Sequence, residues 1–129
     1  MNGVVLDSSA LLALLLEEPG ARRVEEALNG AIMSSVNLAE VVGYYAKLDV
    51  AEIDIRNLLR SLPVILKPFD VDLAYDAGLM RPMGEKAGLS LGDRACLALA
   101  RKLGARVLTS DRAWKKVLAD CGVTVEFIR

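Results

Sequence analysis

Histidine is absent from the sequence of 129 residues. This absence excludes Ser-His-Asp and Cys-His catalysis, histidine-ligated zinc and an imidazole general base. The two cysteines, Cys96 and Cys121, lack the spacing of a metal site. They indicate small buried thiols in a reducing, cytoplasmic environment. Any chemistry must therefore use carboxylates, hydroxyls, lysine or arginine side chains, or a bound ion.

Aromatic residues and net charge are also scarce. Phe, Trp and Tyr make up 5% of the chain, which argues against base stacking as the main binding mode. The formal charge is −1, so affinity for nucleic acid would require a local basic patch. The apolar run 10–16 is too short to span a bilayer, so we expect no membrane association. Length and hydrophobic content predict one globular domain over residues 1–129.

The opening stretch organises the rest of the chain. Val4-Val5-Leu6 predicts a short buried strand, and the serines at 8 and 9 are good N-caps for the Leu- and Ala-rich helix that follows. Asp7 would then lie at the carboxyl end of the strand, the edge where open α/β sheets bind ligands. A partly desolvated acid needs a partner such as a hard cation, although Asp7 is equally explained as a helix cap.

Strands and helices alternate along the whole chain. Further short strands are predicted at 31–34, 64–66, 106–109 and 124–128, with the last at a sheet edge, and helical patterns lie between them. This alternation gives about five strands and up to seven helices with short connections. It predicts an α/β fold, a three-layer sandwich with a mainly parallel sheet.

Three further acids belong to the same edge. Glu40 lies one turn into a predicted helix, Asp93 begins another, and Asp111 follows the predicted strand at 106–109. Each also has a structural explanation: a solvated helix face for Glu40, dipole stabilisation for Asp93 and a helix cap for Asp111. Together with Asp7 they would repel one another unless neutralised, and Mg²⁺ or Mn²⁺ is the fitting counter-ion. Such an ion can activate water and stabilise a phosphoryl transition state.

The four acids lie in four short segments, at 6–10, 37–41, 91–98 and 108–114. Together these segments resemble the successive motifs of the PIN domain, in particular of the VapC-type toxins of prokaryotic toxin–antitoxin pairs. Each motif is weak by itself, but the four occur in order and cover essentially the whole chain. The acidic positions are all present, and Ser110 stands where the family often has alanine.

The resemblance implies a PIN-like fold and a Mg²⁺- or Mn²⁺-dependent endoribonuclease. Asp7, Glu40 and Asp93 would be the main catalytic metal-site acids, with Asp111 supporting them or holding a second ion. Ser9 would orient ligands or water. Water would attack phosphorus in line and the ribose 3′-oxygen would leave, giving a 5′-phosphate product.

The resemblance also implies a homodimer and a small VapB-like antitoxin that blocks the active-site groove. The apolar helices at 36–48 and 50–62 are candidate surfaces for both contacts. Asn37 is expected to hydrogen-bond near the site. The basic residues closest in sequence to the proposed edge, where they would bind phosphates of the RNA substrate, are Arg81, Lys86, Arg94 and Arg112. For the first two, ordinary solvated charge is the better explanation.

Two other functions stay open at this point. A receiver-like phosphoacceptor domain is also α/β, but it would have paired acids after the first strand and a lysine after a late strand. Here serines follow Asp7, and no lysine follows Asp111 until Lys115. The other alternative is a non-catalytic interaction module that keeps the PIN fold, against which the full set of acids argues.

Overall fold

Within residues 3–129, which the computed structural model describes, five short strands pair in one parallel sheet. In chain order they are β1 (Val4–Leu6), β2 (Ile32–Ser34), β3 (Ile65–Lys67), β4 (Arg106–Thr109) and β5 (Val125–Phe127). Their order across the sheet is β3-β2-β1-β4-β5, which places β5 at an edge as predicted. The predicted α/β class is therefore confirmed, and the sheet is parallel throughout.

Seven α-helices and one 3-10 helix connect the strands in the described part of the chain. They are α1 (Ser8–Leu15), α2 (Ala21–Ala27), α3 (Ser35–Lys47), α4 (Glu52–Arg60), α5 (Val71–Leu79), α6 (Arg81–Glu85), α7 (Leu91–Leu103) and the 3-10 helix (Arg112–Val117). The sequence pattern predicts that Arg81-Pro82-Met83-Gly84 interrupts the helix before it; α5 does end at Leu79, but the segment forms the separate short helix α6. Pro82 is tolerated there because it lies in the first turn, where its missing N–H is not needed.

Helices cover both faces of the sheet. Successive strand residues point to opposite faces, so Val5 and Val107 pack with side chains of α5 and α7, whereas Leu6 and Leu108 pack with α1 and α2. Two buried clusters result, one on each face, and the predicted three-layer sandwich is confirmed. Among the described residues, none of the helices is long and apolar enough to span a bilayer.

The strand order reverses direction between β1 and β4. From β1 the chain runs outward through β2 to β3, then crosses to β4 on the other side of β1 and ends at β5. In open α/β sheets a ligand crevice forms at the carboxyl ends of the strands where this reversal occurs. Asp7 follows β1 there, and its amide donates to the carbonyl oxygen of Leu108 in β4 (3.0 Å).

Gly20 precedes α2 and packs against the last residues of the chain. Its φ is +95°, and a Cβ built on it would lie 2.6 Å from the carbonyl oxygen of Ile128 and 2.8 Å from Ile128 Cγ1. We expect Gly20→Ala to lower the free energy of unfolding by about 3 kcal/mol, because the left-handed backbone is strained and buried Ile128 must move. Urea unfolding measures this loss.

Gly30→Ala is the matched control for this substitution. Gly30 has a similar φ of +82°, but nothing lies within 4 Å of its added Cβ. Only the backbone strain of about 1 kcal/mol is expected there. Equal losses in the two variants would contradict the packing assigned to Ile128.

Candidate functional site

Asp7 is a buried carboxylate at the carboxyl end of β1, with 2% of its surface exposed. Its Oδ2 accepts hydrogen bonds from Ser9 Oγ (2.7 Å) and Thr109 Oγ1 (2.8 Å). Its Oδ1 is buried and has no hydrogen-bond partner among the described residues. Burial raises the pKa of Asp7 to about 6; the two hydroxyl hydrogen bonds oppose this rise, and the charges of Asp93 and Glu40 add to it.

Hydroxyl groups join the ends of β1 and β4 into one network. Ser9 Oγ accepts a hydrogen bond from the Ser110 amide (3.0 Å), and Thr109 Oγ1 accepts one from the Asp111 amide (3.0 Å). Thr109 is fully buried and was not a predicted site residue. The signal that could have found it is a hydroxyl at the end of an apolar strand, directly before Ser110 and Asp111. Threonine is common in strands, however, which hides that signal.

Glu40 lies on the exposed side of α3 and is held through one carboxylate oxygen. Its Oε1 accepts hydrogen bonds from Ser8 Oγ (3.0 Å) and Asn37 Nδ2 (2.9 Å). Asn37 is fully buried and donates its other N–H to the carbonyl oxygen of Gly92 at the start of α7 (3.0 Å). The N-cap of α3 is Ser34, so Asn37 lies within the helix.

The start of α7 closely approaches the Glu40 carboxylate. A Cβ built on Gly92 would lie 2.6 Å from Glu40 Cδ, so a residue with a side chain would displace the carboxylate. The Asn37 bridge and this close contact together fix α3 against α7 at the edge of the sheet. Glu40 therefore lies against the start of α7 rather than on a purely solvated helix face.

Asp93 and Asp111 each serve as a helix-end residue as well. Asp93 completes a capping box, because its Oδ2 accepts from the Ser90 amide (2.8 Å) while its own amide donates to Ser90 Oγ (3.2 Å). Burial is the main cause that raises the pKa of Asp93, with Asp111 and Glu40 adding to the rise and Ser90 opposing it. Asp111 caps the 3-10 helix through Oδ1, which accepts from the Ala113 amide (3.0 Å). Both structural explanations hold, and both acids still face the same edge.

The structure brings the four predicted acids to one edge of the sheet. Asp93 and Glu40 both act electrostatically on Asp7, and Asp111 acts on Asp93. Within residues 3–129, the salt bridges involve other acids, namely Glu18, Glu52, Glu85 and Glu126. No group of three or more acidic or cysteine side chains in that range is arranged to hold a metal ion as it stands. The site is thus a convergence of carboxylates without cationic partners, not a closed ligand cage.

The predicted phosphate-binding residues are mostly engaged elsewhere. Arg94 donates from Nη1 to the carbonyl oxygen of Ala77 in α5 (3.0 Å), and Arg81 pairs with Glu85 (3.2 Å). Arg112 directly follows Asp111 and is exposed, but its Nη1 donates to the carbonyl oxygen of Arg129 (2.5 Å) and its Cζ lies 5.7 Å from the centre of the Phe127 ring. Arg81, Arg94 and Arg112 therefore each have a partner within the protein.

Comparisons with known proteins identify the family and the fold. A family model for the PIN domain matches residues 4–118. The fold is similar to DNA-bound VapBC from Salmonella typhimurium, with 19% identity, 100% of each chain covered and a TM-score of 0.74. It is also similar to a toxin–antitoxin complex from Klebsiella pneumoniae, with 20% identity, 98% of each chain covered and a TM-score of 0.75.

A third similar structure is VapC20 from Mycobacterium tuberculosis, described as a sarcin–ricin loop cleaving toxin. The identity is 17%, the alignment covers 88% of this chain and 93% of VapC20, and the TM-score is 0.70. None of the curated proteins matches the chain. At these identities the likeness to solved structures establishes the fold alone.

Buried Asp7 makes the stability of the metal-free protein depend on pH. Its pKa is 3.8 in the unfolded chain and about 6 when folded, so the folded state binds the proton more tightly. The resulting stabilisation is present below about pH 4 and is lost as the pH rises through 6, about 3 kcal/mol in all. We expect Asp7→Asn to be more stable than wild type at neutral pH in EDTA, with the difference vanishing in acid. Urea unfolding across this pH range measures the difference.

Asp120→Asn is the control for this measurement, because Asp120 is exposed and is not among the charges that act on Asp7. It should keep the pH dependence of wild type. A wild-type protein at least as stable as Asp7→Asn at neutral pH would contradict the burial cost assigned to the Asp7 carboxylate.

Proposed function

This chain belongs to the PIN-domain family, and from that premise we propose that it is a metal-dependent endoribonuclease, the toxin of a VapBC-type toxin–antitoxin pair. The observation that carries the proposal is the convergence of four carboxylates at the reversal of strand order, with no lysine or arginine paired to them in residues 3–129. The likeness in fold to VapBC structures supports the toxin class. The likeness to VapC20, described as cleaving the sarcin–ricin loop, supports RNA as the substrate class.

The donor set fits Mg²⁺ or Mn²⁺, which prefer carboxylate and water oxygens. The fit is clearest at Asp7, where a buried carboxylate oxygen has no donor among the described residues and its charge is costly without a cation. Asp7, Glu40 and Asp93 would hold the ion, and Asp111 would support them or hold a second one. When bound, a divalent ion neutralises the carboxylates, lowers the pKa of a water and stabilises charge developing on the phosphoryl oxygens.

Hydrogen bonds from the chain position each main acid through a single oxygen. Ser9 and Thr109 hold Oδ2 of Asp7, and Ser8 and Asn37 hold Oε1 of Glu40. The Ser90 amide similarly holds Oδ2 of Asp93. The second oxygen of each carboxylate then remains for a ligand, in an orientation fixed before the ligand arrives. The role of Ser9 is thus to position Asp7.

The reaction we propose is hydrolysis of an RNA phosphodiester bond. Water attacks phosphorus in line, the P–O3′ bond breaks, and the products carry a 5′-phosphate and a 3′-hydroxyl. Cyclisation by the ribose 2′-hydroxyl commonly uses a general base such as histidine, and this chain contains none. Product-end analysis distinguishes the two routes.

An apolar groove between α3 and α4 is the surface that we assign to the antitoxin. It encloses about 600 Å³ and is lined by side chains that include Leu38, Val42, Ile55 and Leu59. Leu66 of edge strand β3 also borders it. A groove of this kind accepts the apolar face of an amphipathic helix. It lies on the two helices that the sequence pattern offered as partner surfaces.

A second apolar surface, on α5, is the one that we assign to the homodimer. Val71, Tyr75 and Leu79 follow one another at helical spacing and are 72%, 70% and 77% exposed. A row of large apolar side chains with this exposure favours burial against a partner. In a twofold dimer the same row from each copy would pair with itself. The sequence pattern did not single out this helix.

Nuclease activity is tested with purified protein, mixed cellular RNA and added Mg²⁺ or Mn²⁺. We expect wild type to cut RNA, EDTA to stop it, and folded Asp7→Asn and Asp93→Asn to lose roughly 100-fold or more, because even outer-shell partners of metal ligands cost 10- to 100-fold. Asparagine keeps the size of the side chain and removes the charge, so the loss reports on ion binding rather than packing.

Asp120→Asn, purified in parallel, should retain full activity. Cleavage that persists in both site variants would contradict the proposed site and indicate a contaminating nuclease. Binding of a divalent ion without cleavage of any RNA, measured by calorimetry, would favour the non-catalytic interaction module instead.

The dimer surface is tested with Leu79→Glu, which places a charge in the α5 row. We expect light scattering after size-exclusion chromatography to show a dimer for wild type and a monomer for the variant, because the charge would be buried unpaired. Ile53→Glu, on α4 and 59% exposed in wild type, is the matched control and should stay dimeric. The reverse pattern would place the dimer on α4, and a monomeric wild type would contradict the homodimer.

A further inference from the structure

A second cavity lies at the edge of the sheet opposite the four acids. It encloses about 430 Å³, and three different elements contribute an arginine to its lining: Arg23 of α2, Arg101 of α7 and Arg106 of β4. Val4, at the start of β1, also lines it, whereas Asp7 follows the end of the same strand. At about 3.3 Å per strand residue, the cavity and the acidic edge are about 10 Å apart. The function proposed above makes no use of this cavity.

Positive charge exceeds negative charge around the cavity. Among the described residues, no acidic side chain lines it, and the nearest paired acid is Glu126. Arg23 binds Glu126 through two nitrogens, and Arg106 Nη1 lies 3.7 Å from Glu126 Oε1. The charge of Glu26 also acts on Arg23, so three guanidinium groups against two carboxylates leave a formal surplus of one positive charge. Since the whole chain has a net charge of −1, this surplus is local.

Contacts with the protein order two of the three guanidinium groups. The bidentate pair with Glu126 holds Arg23, and Arg101 donates from Nη2 to the carbonyl oxygen of Cys121 (3.3 Å). Arg101 Nε passes close to Gly122, where an added Cβ would lie 3.5 Å from it. Guanidinium groups ordered in advance lose less entropy when they bind an anion.

Glycines keep the cavity open. Gly3, Gly104 and Gly122 all line it without a side chain, and of these Gly122 is the one where an added Cβ would approach an arginine of the cavity, Arg101. The volume lies within the range of roughly 300 to 1,000 Å³ that is typical of small-molecule sites. The cavity is therefore large enough for an anionic group and part of the molecule that carries it.

We propose that this arginine cavity binds a phosphate group, carried either by a free nucleotide or by the backbone of RNA. The planar fork of donors on guanidinium matches the oxygens of phosphate; Arg101 and Arg106 both line the cavity, and Arg23 lines it as the partner of Glu126. Binding requires no divalent ion and does not depend on the nuclease activity proposed above. If RNA supplies the phosphate, the cavity holds the strand outside the cleavage site.

The test is calorimetric titration of inorganic pyrophosphate into the full chain in EDTA. Without a divalent ion the four carboxylates repel pyrophosphate. Binding of pyrophosphate at the acidic edge therefore does not contribute to the measured heat. We expect saturable binding by wild type and a loss of tenfold or more in affinity in the double variant Arg101→Gln/Arg106→Gln, because charge-assisted hydrogen bonds are lost. Both side chains are exposed, and a urea unfolding curve verifies that the variant is folded.

The matched control is Arg56→Gln/Arg60→Gln on α4, which removes the same formal charge away from the cavity. It should bind pyrophosphate as wild type does. No saturable binding by wild type, or equal losses in the two double variants, would overturn the proposal.

Two further titrations identify the source of the phosphate. Binding of a 5′-nucleotide that depends on Arg101 and Arg106 supports a free nucleotide. Binding of a short RNA with hydroxyl groups at both ends, with the same dependence, supports the RNA backbone. If neither ligand shows that dependence, the cavity does not recognise phosphate in a biological form and the proposal fails.

Discussion

The burial of the Asp7 carboxylate without a cationic partner is the constraint on which the site depends. Desolvation raises the pKa of Asp7 to about 6, and two hydroxyl groups offset only part of that cost. A purely structural acid at this position would pair with an arginine or cap the helix that follows, yet Asp7 makes no side-chain cap to α1. The fold instead surrounds it with further carboxylates, whose repulsion the proposed divalent cation would neutralise. The buried charge of Asp7 thus lowers the free energy of unfolding, at the position where the proposed chemistry requires a negative charge.

Each acid also has an ordinary structural role, and these roles position it. Asp93 completes the capping box of α7 and Asp111 caps the 3-10 helix, both through one carboxylate oxygen. Glu40 is tied through Asn37 to the start of α7, where Gly92 leaves room for its carboxylate. The structural and functional explanations that sequence reasoning treats as competitors are therefore compatible. A cap fixes one oxygen, and the other oxygen remains available.

The two ends of the strands carry opposite charge. Carboxylates gather at the carboxyl ends of β1 and β4, and arginines from three elements gather at the amino-terminal end of the sheet. A protein with a net charge of −1 thereby presents a local basic surface that its composition does not indicate. Sequence reasoning placed phosphate-binding residues beside the acids instead, but Arg94 is tied to α5 and Arg81 to Glu85. Proximity in sequence is a poor guide to proximity in the fold, because the two ends of a single short strand already lie about 10 Å apart.

The sequence by itself determined the alternation of strands and helices, the α/β class and the four acids, because hydrophobic periodicity, capping residues and motif spacing are local properties. It did not specify the separate short helix α6 or the 3-10 form of the helix after Asp111, which depend on small differences in local free energy. Only the tertiary structure decided that β4 lies beside β1, since no local pattern specifies strand order. That neighbourhood brings Thr109 to Asp7 across 102 positions of sequence and joins Arg23, Arg101 and Arg106 around one cavity. Both sites therefore arise from packing between elements that are distant in the chain.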